Sequence, residues 1–566
     1  MHMKKLLALI VVAAISGTIG LRAESASAEQ PQSQAPIADA AQAKDTAAIR
    51  KLIKEGGDVN AAQGDGMTAL HHAALNGDAE LAQLLLYAGA NVGAKTRIGG
   101  YTPLHLAAQM GHAAVIAPLV ASGSQVGALT TTGATPLMHA SHSGNADAVR
   151  MLIENGADPN VKETANGQTA LMFAAASDRV DVVKLLVARG ADLHATSRVE
   201  DFAKLTMEVE TDQNGVPRPQ QPRNANDVPG VTRPFNYNEL IGKHGGLAAL
   251  HFAARQGAMT TAEALIKAGA NINQRGAGDK TTPVLVAAIN GHFDLVSYLL
   301  DQGADPNLAS DGGVTPLYAV INVQWQPRSF YPQPRAYLQQ KIGYLELMKK
   351  LLDKGADPNA RTNRNTWFTQ YNFDLLRTDD SGATPFWRAA YASDIAAMKM
   401  LIEHGADPNI YTMKVATRQF NQGGTRGGGN VDPLNRLPLP TGAPGTPPLV
   451  AAAGAGYSEG FAGNAHRFAP TGMLAAVKYL VEEVGVDVNA EDEDGNTAVH
   501  NAASRGDNEM ILYLVSKGAD VMKVNRRGMT TVDMANGPVQ RTQPYPETIK
   551  LLMGMGAKNN NRCVSC

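Results

Sequence analysis

The chain has 566 residues, with 50 Lys and Arg against 52 Asp and Glu, so its formal charge is only −2. Without the first 28 residues, which carry Lys4, Lys5, Arg22 and Glu24, the balance is 47 basic to 51 acidic. This excludes the clustered basic surplus that a nucleic-acid or anionic-membrane footprint needs. Only Cys563 and Cys566 occur, which excludes a disulfide framework in the body of the protein.

At the N-terminus, Lys4 and Lys5 precede an apolar stretch from Leu6 to Leu21, and Ala26-Ser27-Ala28 supplies small residues where a signal peptidase reads. Residues 1–28 are expected to be a signal peptide cleaved after Ala28, followed by a linker at 29–34. A permanent anchor would need about 20 continuous apolar residues, and Gly17, Thr18, Gly20 and Arg22 interrupt this one. No other segment is long and apolar enough to span a bilayer. The mature chain is therefore expected to be exported, periplasmic or extracellular. Its avoidance of cysteine over 29–562 fits an oxidising compartment.

Self-similarity organises the rest. Thr68-Ala69-Leu70-His71 recurs as Thr102-Pro103-Leu104-His105, Thr135-Pro136-Leu137-Met138 and Thr169-Ala170-Leu171-Met172. An opening copy starts at Ala35, and further copies start at Ala248, Thr282, Thr315, Thr384, Pro447, Thr497 and Thr530, giving twelve units. A second marker follows 21 residues after most of these starts, as at Gly89-Ala90-Asn91, Gly156-Ala157-Asp158 and Gly405-Ala406-Asp407. Thr and Pro suit a helix start, through side-chain capping and a pre-set first-turn φ. Leu104, Ala107 and Ala108 form a narrow apolar stripe whose alanines admit a close neighbour. A second helix follows, as at Val149–Ile153, and Gly156 ends it. Asp158-Pro159-Asn160 then opens a turn into the next unit.

A T-P-L-H tetrapeptide at 33-residue spacing with a recurring G-A-D resembles the ankyrin-repeat family over nearly all of the mature chain, most like exported bacterial members with long insertions. The resemblance implies an all-α solenoid of about twelve helix-turn-helix repeats with finger turns. Each unit buries its apolar faces only by stacking on its neighbours. It also implies that His71, His105, His251 and His500 are structural hydrogen-bonding residues between turn and helix. They recur singly, without the paired spacing of metal ligands.

The start-to-start intervals run 33, 34, 33, 34, 79, 34, 33, 69, 63, 50 and 33. The excess predicts five insertions. Three lie in the fingers, at 196–245, 363–380 and 411–446; two lie between the helices of one repeat, at 324–342 and 454–470. Repeats are thus expected over 35–195, 246–410 and 447–558, with a tail at 559–566. The window from Tyr318 to Tyr391 holds 13 of the chain's 30 aromatic residues, including all three tryptophans. Aromatics and arginines dominate binding hot spots. Trp325, Phe330, Tyr331, Arg364, Trp367, Phe368, Tyr371, Arg377 and Trp387 are accordingly candidate partner contacts. The same residues would equally serve as a local core for the insertions, and Trp387 occupies the position that His holds in other repeats.

Three motifs resemble chemistry. Gly456-Tyr457-Ser458-Glu459-Gly460 spells G-x-S-x-G, but that motif needs a strand delivering Ser onto a sharp turn, and this one lies in an insertion between helices. Asp492-Glu493-Asp494-Gly495 resembles part of a calcium loop but lacks the twelfth-position Glu. Cys563-Val564-Ser565-Cys566 has no His after it for haem attachment and no further ligands for zinc; a local disulfide or redox pair is the candidate state, with bridging between chains as the alternative. No cofactor, no metal and no nucleic acid are expected. The overall expectation is a non-catalytic scaffold binding another protein through its concave face and finger insertions. The alternatives are an envelope-associated assembly subunit linked through the tail, then a redox or hydrolytic enzyme.

Overall fold

A computed structural model describes residues 34–205, 228–326, 335–366, 378–416, 432, 434–456, 467–537 and 543–561. The signal segment, Ser458, Phe330, Tyr331, Trp367, Phe368, Tyr371, Arg377, Cys563 and Cys566 lie outside the described residues.

Twelve helix pairs follow one another, from Pro36–Gln42 with Thr46–Lys54 to Thr531–Ala535 with Pro546–Gly554. The fold is an all-α ankyrin solenoid. First helices have five to nine residues and second helices eight to ten, lengths at which an isolated helix is unstable in water. Local capping and stacking supply the difference. In the third repeat the Thr102 N–H donates to His105 Nδ1 at 3.2 Å, and the His105 N–H donates to Thr102 Oγ1 at 3.4 Å. With Nδ1 accepting, Nε2 carries the proton and faces Ala128 O at 3.1 Å in the next finger. His71 does the same to Tyr101 O at 3.1 Å, and His251 to Thr281 O at 3.1 Å. The recurring His therefore closes a helix N-terminus and ties it to the following repeat.

The stop signals carry a second tie. Asn160 Nδ2 donates to Gly190 O at 3.0 Å, while its Oδ1 accepts from Asp192 N at 2.8 Å. The ladder survives two of the long intervals: Asn307 Nδ2 reaches Gly355 O at 2.8 Å, and Asn359 Nδ2 reaches Gly405 O at 2.9 Å. Insertions thus leave the stack through its edges without interrupting it. Behind these ties one apolar core runs from Ile37 to Ala557. Alanine pairs such as Ala107-Ala108 and Ala253-Ala254 are fully buried where adjacent first helices meet, since only a small side chain allows that approach.

The insertions add the only strand pair among the described residues. Strand Val199–Asp201 pairs antiparallel with Lys243–Gly245 and lengthens the finger after the fifth repeat; the short helices Phe202–Leu205 and Tyr237–Ile241 lie inside that insertion. In the tenth repeat the second helix, Gly472–Tyr479, runs on into a π-helical turn at Leu480–Val484.

Candidate binding surface

The first helices and fingers make one face of the stack. The eighth residue of each repeat, at the end of the first helix, reports how open that face is. Leu75, Gln109, His142 and Arg255 are exposed, and Ala176 and Ile289 are half-buried. From the eighth repeat onward Asn322, Gly454 and Ser504 are buried and Tyr391 is half-buried. The face is therefore open over repeats two to seven and closed beyond.

Closure comes from the insertions and from the aromatic window. The end of the 363–380 insertion turns onto the floor, where Thr378 Oγ1 lies 3.4 Å from Ala455 O and 3.3 Å from the Tyr391 hydroxyl. Beneath it Arg388 is only 4% exposed, with Nε donating to Asn322 Oδ1 at 2.6 Å and Nη2 to Trp325 O at 2.9 Å. Burial lowers the guanidinium pKa, opposed by nearby Asp380 and Asp394. Those two carboxylates are fully engaged. Asp380 accepts from the Tyr318 hydroxyl at 2.7 Å and from Thr366 Oγ1 at 2.6 Å; Asp394 accepts from Trp325 Nε1 and from the Tyr344 hydroxyl, each at 2.8 Å.

This placement corrects the partner-contact reading of two candidates. Trp387 is 0% exposed, stacks on Tyr391 at 5.2 Å and donates Nε1–H to Thr446 O at 2.9 Å. Trp325 is 9% exposed with its indole N–H on Asp394. Both fill the interior made by the insertions and present no hot-spot surface. Arg364 is half-buried at the finger edge beside Gly242, where burial lowers its pKa against the opposing pull of Asp311 and Asp279. It lies between fingers of this chain. Arg388 was not among the candidates, although a charge at a position held elsewhere by His72, Leu106, Phe173 or Val286 marks an enclosed polar contact.

Within the open part, helices Ala69–Asn76, Pro103–Gln109, Pro136–Ser143 and Ala170–Ala176 contain no Asp, Glu, Lys or Arg, whereas Ala249–Gln256 carries the exposed Arg255. Their floor offers Leu75, Met110, His142 and Phe173, with Met110 51% exposed. On the adjoining fingers Ile98 is 82% and Leu129 46% exposed. The histidines beneath are neutral: burial lowers His105 and His139 to about 4, and their rings meet edge-on at 5.8 Å. No group of three or more His, Cys, Asp or Glu among the described residues could hold a metal ion. No helix among them is long and apolar enough to cross a membrane.

The model for ankyrin repeats in three copies matches residues 37–129, 113–197, 237–323 and 465–563, and that for a single ankyrin repeat matches 381–413. Among curated proteins, alpha-latrocrustotoxin-Lt1a of Latrodectus tredecimguttatus is 26% identical over 259 residues, covering 45% of this chain and 13% of the toxin. Palmitoyltransferase AKR1 of Lachancea kluyveri is 26% identical over 173 residues, 28% of this chain and 22% of the transferase. Protein phosphatase 1 regulatory subunit 27 of Mus musculus is 42% identical over 73 residues, 12% of this chain and 46% of that subunit. The chain thus spans under half the length of each of these relatives. The human ASB11 ankyrin repeat domain aligns at a TM-score of 0.36 and 25% identity, covering 48% of this chain and 99% of that one. With more than half of its length matched by these models and its twelve helix pairs, the chain belongs to the ankyrin-repeat family.

Proposed function

We propose that the protein is an exported, non-catalytic scaffold that holds another protein against the open face of its second to fifth repeats. The observation that carries this reading is the contrast along the floor. In repeats eight, ten and eleven the floor residues Asn322, Gly454 and Ser504 are buried, whereas the first half leaves Leu75 and Met110 exposed on the floor beside the finger residues Ile98 and Leu129. Exposed apolar groups on a pre-formed, rigid surface favour association, because little conformational entropy is lost on binding. The uncharged first helices suit a partner segment that is itself apolar and uncharged, since a buried charge there would find no counter-ion. Export rests on the 1–28 segment, with its Lys4-Lys5 start and Ala26-Ser27-Ala28 end.

Affinity capture from envelope extract tests the reading. A Leu75→Asp/Met110→Asp variant should lose a protein that the unaltered chain recovers, while a variant lacking 363–380 and 411–445 should retain it. Recovery lost only with the insertions would move the contact to the fingers. No recovery by either, together with a disulfide-linked dimer on non-reducing gels, would favour an assembly subunit joined through Cys563 and Cys566. Mass spectrometry of the purified protein should find Glu29 at the N-terminus; an intact Met1 would refute export with cleavage.

A further inference from the structure

In repeats one to five, every hydrogen bond between repeats among the described residues joins neighbours. Thr164 Oγ1 donates to Thr132 O at 2.8 Å, Arg179 Nε to His142 O at 3.0 Å, and Lys162 Nζ to Thr196 O at 2.6 Å. Such an array behaves as a one-dimensional chain, its stability a sum of unit and nearest-neighbour terms, and it can unravel from an end.

The later repeats are joined differently, by contacts that skip units. Along the finger edge, the insertion that leaves after the fifth repeat meets the one that leaves after the ninth: Thr441 Oγ1 donates to Val231 O at 3.0 Å. The first of these also abuts the finger after the eighth repeat, where a Cβ on Gly242 would stand 3.5 Å from Arg364 Nη2. The second continues to the finger after the eleventh, with Arg526 Nη1 on Leu437 O at 3.1 Å and Arg436 Nη2 on Val524 O at 3.3 Å. Asp432 sits between these guanidinium groups, 2.7 Å from Arg436 Nε and 3.7 Å from Arg526 Nη1. On the opposite edge, Arg467 Nη1 of the tenth repeat's insertion donates to the Tyr337 hydroxyl of the eighth's at 2.9 Å. The Tyr337 ring in turn lies 6.1 Å from Phe293 of the seventh repeat.

We infer that repeats six to eleven are cross-braced into a single cooperative unit, with braces on both edges, against which repeats one to five open independently. The reason is topological. In an unbraced stack, opening one repeat breaks its own packing and two interfaces. Where a contact spans three or four repeats, opening any repeat beneath it releases the brace as well, so the cost of local opening approaches that of opening the whole span. The insertions that close the later half of the binding face thereby also make it rigid, and leave the open half as the part able to yield.

Hydrogen exchange on the mature full-length protein, followed by mass spectrometry at increasing sub-denaturing urea, reads this directly. Amides of the first helices at 283–289, 316–324 and 498–504 should share one opening transition, whereas those at 69–76, 103–109, 136–143 and 170–176 should open in graded steps and exchange at least about tenfold faster. Arg467→Ala removes one brace and touches no finger. It should speed exchange together across repeats six to eleven, about five- to tenfold for one lost hydrogen bond, leaving repeats one to five unchanged. Arg436→Ala, on the other edge, should reproduce that pattern if Arg467→Ala fails to fold. A smooth fall of protection from mid-array to both ends would overturn the inference, as would faster exchange confined to repeats eight and ten in Arg467→Ala.

Discussion

Replacing Trp387 by Ala separates an interior role from a partner contact. The ring is fully buried, stacked on Tyr391 at 5.2 Å, with Nε1 on Thr446 O at 2.9 Å. Truncating a buried Trp costs about 3–5 kcal/mol through lost transfer energy and the cavity left behind. The hydrogen bond adds little, because Thr446 O also accepts from Thr412 N at 3.1 Å and is not orphaned. We expect a loss of about 4 kcal/mol for Trp387→Ala and about 1–2 kcal/mol for Trp387→Phe, which keeps most of the packing. Urea unfolding followed by far-UV circular dichroism should show the transition of repeats six to eleven falling by about 1 M, for a denaturant slope near 3 kcal/mol/M. The transition of repeats one to five should stay in place, and partner capture should persist below the new midpoint. A shift under about 0.3 M with capture abolished would refute the interior reading.

Acid should act on the two halves unequally. His105 and His139 are held near 4 by burial, against 6.5 when unfolded. Below pH 6.5 the unfolded chain takes up protons that the folded chain refuses. Their contribution is thus complete above pH 6.5 and lost towards pH 4, by up to about 3 kcal/mol each. In the later half His251 and His500, also near 4, act in the same direction. Burial raises Glu493 to about 7 and Asp379 to about 6, and these oppose it, adding stability at low pH that is lost as pH rises from about 4 to about 7. Melting at pH 5 and pH 7.5 should therefore show the first transition falling further than the second; equal shifts would contradict this. Two glycines of the first half test the finger contacts. Gly133 has φ +77°, and an added Cβ would stand 2.7 Å from Thr164 N, whereas Gly156 at φ +91° has nothing within 4 Å. Gly156→Ala should cost about 1–2 kcal/mol in left-handed strain, and Gly133→Ala clearly more, measured on the first transition. Equal losses would mean that the fingers yield freely.

Much of the fold is legible in the residues because its determinants are local and repeated. Thr102 and Pro103 start a helix, His105 sits three residues after the cap, and Gly156 ends the following unit's second helix, whatever surrounds them. The irregular intervals likewise locate the insertions, since any excess must leave the stack at an edge. The position of Trp387 pointed inward, because it shares the register of His71 and His105, whose side chains reach the next finger. Trp325 gave no such signal: it follows a first helix, and its interior role depends on Asp394, 69 residues away.

The sequence by itself determined the repeat, its caps, its count and the sites where the period breaks, each a matter of residue type and short-range spacing. Only the tertiary structure decided that Asn160 bonds the next repeat, that the insertions meet through Thr441 and Val231, and that the face made by the first helices is closed after the seventh repeat. Those outcomes depend on which distant surfaces the stack brings together. A hydrogen bond between residues 210 positions apart leaves no periodic trace in a chain read one segment at a time.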